Sequence, residues 1–167
     1  MNPYYPSEKF LQYLRKIYAL DWRKSVHGFA HWRRVLKNGL LIARRNGANQ
    51  QVVTLFAFLH DIKREDDGYD LEHGGRAKAL ILATLQEQFL HLPQPELELL
   101  TYACEFHTHG FTEADITIQT CWDADRLDLG RVGIVPDPNY LCTAIAKEER
   151  IIEEAFQRSL AKNTSIY

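Results

Sequence analysis

Residues 52–62 read VVTLFAFLHDI, an apolar run that ends in His60-Asp61. Asn49 precedes it and can cap it, so the run reads as a helix that is apolar nearly all round. Such a helix belongs in the middle of a domain, because no face of it gains from contact with water. His60 and Asp61 are therefore expected near the centre of the molecule. An unpaired carboxylate there is costly, so the pair caps the helix end or has its charge compensated by a basic side chain or a divalent cation.

The chain on either side reads as further helices. Ser7 can cap a segment to Leu20 that carries Phe10, Leu11, Leu14, Ile17 and Tyr18 at three- and four-residue spacing. Phe29 to Arg45 is a second helix stopped by Asn46-Gly47, with His31 in line with Val35, Asn38 and Ile42 at the edge of an apolar stripe. Lys63 to Gly75 is polar and reads as a loop, and Arg76 to about Leu92 as a helix. Pro93 and Pro95 break the chain and start another helix through Leu97, Leu100 and Cys104, which stops near His107-Thr108-His109-Gly110. Thr112 is expected to cap a helix reaching Leu129, and Asp137-Pro138 to start the last one. VGIV at 132–135 is too short and isolated to argue for a sheet. The class is all-α with five to seven helices, in a single domain over 1–167 whose flanking helices span 7–20 and 138–161.

Composition agrees with one ordinary globular domain. The 167 residues hold 20 Lys plus Arg against 22 Asp plus Glu, and 46% are hydrophobic. No apolar run reaches the roughly 18 residues of a membrane span, and the N-terminus lacks the build of a signal peptide. Cys104, Cys121 and Cys142 show no CxxC spacing, which suits a reducing, cytoplasmic setting. Charge is lopsided: residues 1–48 hold ten Lys or Arg against two Asp or Glu. A basic patch of that kind is either a solvated face or a place for phosphates.

The segment CWDADRLDLG, 121–130, offers three carboxylates. At about 100° per residue, Ala114, Ile118, Trp122, Asp125 and Leu129 share a face, whereas Asp123 points away with Ile116 and Leu127. By that count Asp125 is the buried carboxylate, and Asp128, about 60° off the same face, can reach a neighbouring group. His31, His60, Asp61 and Asp125 together make two imidazoles and two carboxylates, a set that suits a divalent metal with open positions.

In order along the chain, HGFAHWRRV at 27–35, LFAFLHD at 55–61 and DADRLD at 123–128 resemble the H…HD…D signature of the HD superfamily of metal-dependent phosphohydrolases. The resemblance covers about residues 25–135. It is nearest to small, stand-alone bacterial members that carry HDxxR, a GYDxxHGG-like loop and a CWDADRLDLGRVG-like segment. It implies an HD-domain helical bundle and one divalent ion (Mn, Fe, Co, Ni, Zn or Mg) held by His31, His60, Asp61 and Asp125. It further implies hydrolysis of a phosphoester or pyrophosphate bond in a small phosphorylated substrate, by preference a nucleotide. Two-metal relatives use extra histidines between the HD pair and the last Asp, and His73, His107 and His109 fall in that interval, so a second metal is open.

Other roles follow less directly. A general acid or base is sought among Glu65, Asp66, Asp67, Asp70 and His73, with Glu65, Asp66 and His73 preferred. Several HD nucleotidases place a Glu or His three residues after the HD aspartate, where this chain has Arg64, which suits phosphate instead. His73 ahead of Gly74-Gly75 alternatively meets phosphate at a helix N-terminus. His27, Arg64, His107, His109 and Arg126 are expected at the substrate, with Arg131 able to assist. A homodimer is compatible with the sequence, whereas membrane and nucleic-acid partners are not expected. The alternative is a catalytically silent HD domain that binds a nucleotide or nucleic acid, which the basic N-terminal third motivates.

Overall fold

A computed structural model of the chain describes residues 3–161, so the ends of the expected 1–167 domain lie outside the described residues. Seven α-helices appear among them: α1 Glu8–Ile17, α2 Phe29–Asn46, α3 Gln50–Leu59, α4 His73–Leu80, α5 Gln94–Phe106, α6 Ile116–Arg126 and α7 Glu149–Leu160. α4 runs on as a π-helical stretch, Ile81–Leu90, and short 3-10 turns occupy Leu129–Val132 and Pro138–Tyr140. The all-α class and the helix number are as expected, and no strand occurs among the described residues.

α3 is the central helix. Every residue from Val52 to Leu59 is buried, and Asn49 caps it by accepting hydrogen bonds from the N–H groups of Gln51 and Val52. α2 packs on α3 and α6, and α3 also meets α5 and α6. Gly39 of α2 lets these helices approach closely, because a Cβ there would stand 2.5 Å from Val53 of α3 and 3.3 Å from Ala124 of α6. Asn38 ties the same layers together: its Nδ2 donates to the Ala124 carbonyl at 3.1 Å, and its Oδ1 accepts from Arg158 of α7 at 2.9 Å. α2 thus brings His31 against both the end of α3 and the end of α6.

Several boundaries differ from expectation for local reasons. α1 ends at Ile17 and not Leu20, because Tyr18 turns into the core and its hydroxyl meets Ser25 Oγ at 3.0 Å. The loop over 63–75 is shorter than expected, since α4 begins at His73. α6 is capped by Asp115 rather than Thr112, through the Thr117 N–H at 2.7 Å. The last helix does not start at 138. Asp137 does cap a turn there, but the chain then breaks so that the N–H groups of Cys142 and Thr143 can donate to the Asp123 carboxylate at 2.6 and 2.8 Å. The Thr143 hydroxyl adds a third bond to Asp123 at 2.8 Å, and α7 starts only at Glu149.

That arrangement corrects the helical-phase reading of α6. Asp123 and Leu127 are fully buried, whereas the Asp125 side chain keeps 17% of its exposure. The 141–146 segment covers the α6 face that the phase count assigned to solvent, and its Leu141 and Ala146 form a small second core with Ile42, Leu127 and Ala155. A helix covered on two sides has no outward face to read.

Candidate metal centre

The turn that follows α3 delivers His60 and Asp61, α2 delivers His31, and the C-terminal end of α6 delivers Asp125. Their donor atoms converge. His31 Nε2 stands 3.0 Å from His60 Nε2, 3.5 Å from Asp61 Oδ2 and 3.3 Å from Asp125 Oδ1. His60 Nε2 stands 3.4 and 3.7 Å from the same two carboxylate oxygens. A metal about 2.0–2.2 Å from each donor sets neighbouring donors about 3–3.5 Å apart, so the spacing is that of a coordination shell.

A second set adjoins the first and shares Asp61. Its other oxygen, Oδ1, stands 3.0 Å from His73 Nε2 and 3.6 Å from His107 Nε2, and those two nitrogens are 2.8 Å apart. His107 comes from the end of α5 and His73 from the first turn of α4. Gly74 makes that meeting possible, since a Cβ there would collide with the carbonyl oxygens of Cys104 and Glu105 on α5. Each of the sets His31–His60–Asp61 and Asp61–His73–His107 is buried and keeps its donor atoms within 4.8 Å of one another.

The protonation of these rings is fixed by their other nitrogen. Nδ1 of His60, His107 and His73 faces the backbone carbonyls of Phe56, Cys104 and Asp70 respectively, and a carbonyl only accepts, so each Nδ1 carries the hydrogen. His31 Nδ1 faces Asp128 Oδ2 at 2.7 Å, a carboxylate that also takes Arg34 Nε at 2.6 Å. All four Nε2 atoms therefore present lone pairs when the rings are neutral. Two lone pairs do not bind each other at 2.8–3.0 Å, so each pair calls for a shared cation, a proton at least.

Electrostatics agree. Burial works against ionising Asp61 and Asp125, yet the surrounding imidazoles hold both carboxyls well below the usual carboxylate range. Burial and Arg131 push the His31 imidazolium down, but Asp125, Asp128 and Asp61 outweigh them and hold it up to about 9. Asp125 Oδ1 is buried without a hydrogen-bond partner. The residues fit a divalent ion at the first set, and the second set offers another the same kind of donors.

A cleft of about 430 Å³ opens over Asp61 and Asp125, with His27, Asp67, Arg131 and Tyr140 on its walls. His27 Nδ1 meets Asp67 Oδ1 at 3.1 Å, and Ser25 Oγ donates to the same oxygen at 2.5 Å. Burial pushes the His27 imidazole down to about 4, so it stays neutral at ordinary pH. Arg64 also lines the cleft; its Nε donates to Asp61 Oδ1 at 3.2 Å, and its Nη1 to the carbonyls of Asp66 and Gly68. Arg126 lines it too, but its Nη groups donate to the carbonyls of Tyr140 and Phe111 at 2.8 and 2.7 Å.

The remaining expected residues lie elsewhere. Glu65 is 70% exposed at its side chain and faces Arg76 at 3.6 Å, and Asp66 bonds the Gly68 N–H on the loop surface. The exposed His109 sits between the rings of Phe106 and Phe111. His73 stands among the Asp61 partners, not at a solvent-facing helix N-terminus. Asp128 and Arg34 are not assigned to the site from sequence, although the spacings of HWRRV and DADRLD carry them; of the four loop acids the sequence reading prefers Glu65 and Asp66, whereas Asp67 lines the cleft.

No protein-family model and no curated protein matches the sequence. A solved structure does match: a predicted HD superfamily hydrolase from an uncultured Thermotogales bacterium, with a TM-score of 0.69 over 91% of this chain and 86% of that one, at 23% identity. The chain has the HD-domain fold. Its His31, His60-Asp61 and Asp125 meet at the centre of that fold, in the order that the sequence signature gives.

Proposed function

We propose that the protein is a metal-dependent phosphohydrolase acting on a nucleotide or a similar small phosphoester. The observation that carries this reading is the pair of imidazole–carboxylate sets sharing Asp61 at the base of a cleft with cationic walls. The fold shared with a predicted hydrolase supports it. His31, His60, Asp61 and Asp125 would hold one divalent ion, and Asp61, His73 and His107 a second. A bound divalent ion supplies Lewis-acid polarisation of a phosphoryl oxygen and acidifies water. Imidazole-rich donors favour Mn, Fe, Co, Ni or Zn over Mg, which prefers oxygen.

The chain's own groups prepare the rest. Asp128 and the carbonyls of Phe56, Cys104 and Asp70 hold the ring hydrogens away from the centre, so each Nε2 is free to bind. His27 spends its Nδ1–H on Asp67, which leaves a neutral ring whose Nε2 can accept a hydrogen bond from water or a substrate hydroxyl. Arg64, Arg126 and Arg131 on the cleft walls carry positive charge toward an anionic substrate.

The test is phosphate release from a panel of nucleotides and generic phosphoesters with Mn, Fe, Co, Ni, Zn or Mg added singly. Turnover with at least one transition metal and its loss in Asp61→Ala are expected. No turnover across the panel would sink the hydrolase reading and leave the silent binding domain.

A further inference from the structure

Three arginines line the cleft, and they are not equivalent. Arg64 and Arg126 spend guanidinium hydrogens on backbone carbonyls and, in Arg64, on Asp61. Arg131 makes a single hydrogen bond, from Nη1 to the Asp128 carbonyl at 3.1 Å. Its Nε is buried with no partner, although the side chain keeps only 9% of its exposure. A desolvated guanidinium N–H without an acceptor is costly.

The neighbour of Arg131 deepens the puzzle. Arg131 Nη2 stands 3.9 Å from Asp125 Oδ1, too far for a hydrogen bond, because that oxygen is turned toward His31 and His60 Nε2 at 3.3 and 3.7 Å. Two opposite charges face each other without closing. With a divalent ion balanced by Asp61 and Asp125, the Arg131 guanidinium is left as positive charge that an anion in the cleft can meet. A phosphoryl group is such an anion, and a guanidinium fork matches its oxygens. The Leu129–Val132 turn that carries Arg131 follows directly from Asp128, the carboxylate that orients His31, so the guanidinium and the ligand set are held in one register.

Resting on the hydrolase reading above, the geometry points to Arg131 as the residue that binds the phosphoryl group of the substrate, with Nη2, which makes no close hydrogen bond within the protein, as its donor toward the cleft. Arg64 and Arg126 shape the cleft wall instead: one braces the loop after Asp61, the other joins the 107–113 and 138–142 loops.

The test uses the manganese-loaded protein and inorganic phosphate as the probe, with binding measured by calorimetry at fixed ionic strength and metal content measured on the same samples. Arg131→Met is expected to weaken phosphate at least about tenfold, since hydrogen bonds to charged groups contribute that much. Arg131→Lys, which keeps the charge but not the fork, should recover part of the loss. Metal content should stay at the wild-type value in both variants, because Arg131 opposes the metal's charge and does not support it. Equal phosphate affinity in wild type and Arg131→Met would overturn the assignment while the hydrolase reading stands. So would loss of metal from both variants, which would make Arg131 a support of the ligand set. A wild-type holoprotein that neither binds phosphate nor hydrolyses any phosphoester would remove the hydrolase reading and the assignment with it.

Discussion

Asp61 divides its two oxygens between two groups of imidazoles, Oδ2 toward His31 and His60 and Oδ1 toward His73 and His107. Each imidazole is oriented through its far nitrogen, and three of the four anchors are backbone carbonyls that no substitution can remove. His31 is the exception, because Asp128 holds it. Asp128→Asn should therefore leave every donor in place yet weaken metal binding by about 10–100-fold, the usual effect of losing such a partner. Competition against a chelating dye measures it; unchanged affinity would mean that Asp128 serves only Arg34. At this scale the sequence was informative where residue type and order carry the message, as in His31, His60, Asp61 and Asp125. Among the acids at 65, 66, 67 and 70 it preferred Glu65 and Asp66, whereas Asp67 is the one that lines the cleft, because a polar loop has no periodicity from which to read direction. Asp67 is chosen by Ser25 and His27, contacts across 42 and 40 positions of chain.

Helices were legible as elements, and their ends were less so. The α3 run, the Asn49 cap and the Gly47 stop are local chemistry, and each stands where the pattern puts it. The start of α7 depends instead on a tertiary bond, the pull of Asp123 on the backbone at 142–143, and the buried side of α6 depends on what that segment covers. The glycines after His73 suggested a phosphate-binding helix terminus, whereas Gly74 serves the contact of α4 with α5. Gly74→Ala should accordingly push these helices apart and cost about 1–3 kcal/mol, as overpacking does. Because His73 and His107 ride on the two helices, the variant should also lose metal from the second set while the first keeps its own. Denaturant unfolding together with metal analysis checks both, and an unchanged stability with full metal would show that the helices give way elsewhere.

For the whole molecule, the centre is a charge problem that a cation would solve. No described helix is long and apolar enough to cross a membrane, and the apolar material goes into a core that surrounds two carboxylates and four imidazoles. Without metal, a proton on His31 supplies part of the missing charge, and its folded value of about 9 lies above the ordinary 6.5. That proton's stabilisation is fully present below pH 6.5 and is lost as pH rises through about 9. The metal-free protein should therefore lose stability across that window, by about 3 kcal/mol at most. The metal-loaded protein should lose far less, because the ion replaces the proton. Thermal unfolding of both forms from pH 6 to 10 checks this, and parallel curves would mean that the metal does not sit at His31.

The most direct test of the shared carboxylate is the metal stoichiometry of purified wild type, His73→Ala and Asp61→Ala after saturation with Mn and removal of free ion. Two ions per chain are expected in wild type, one in His73→Ala and none retained in Asp61→Ala. An Asp61→Ala protein that folds and still holds its metal would contradict a shared carboxylate.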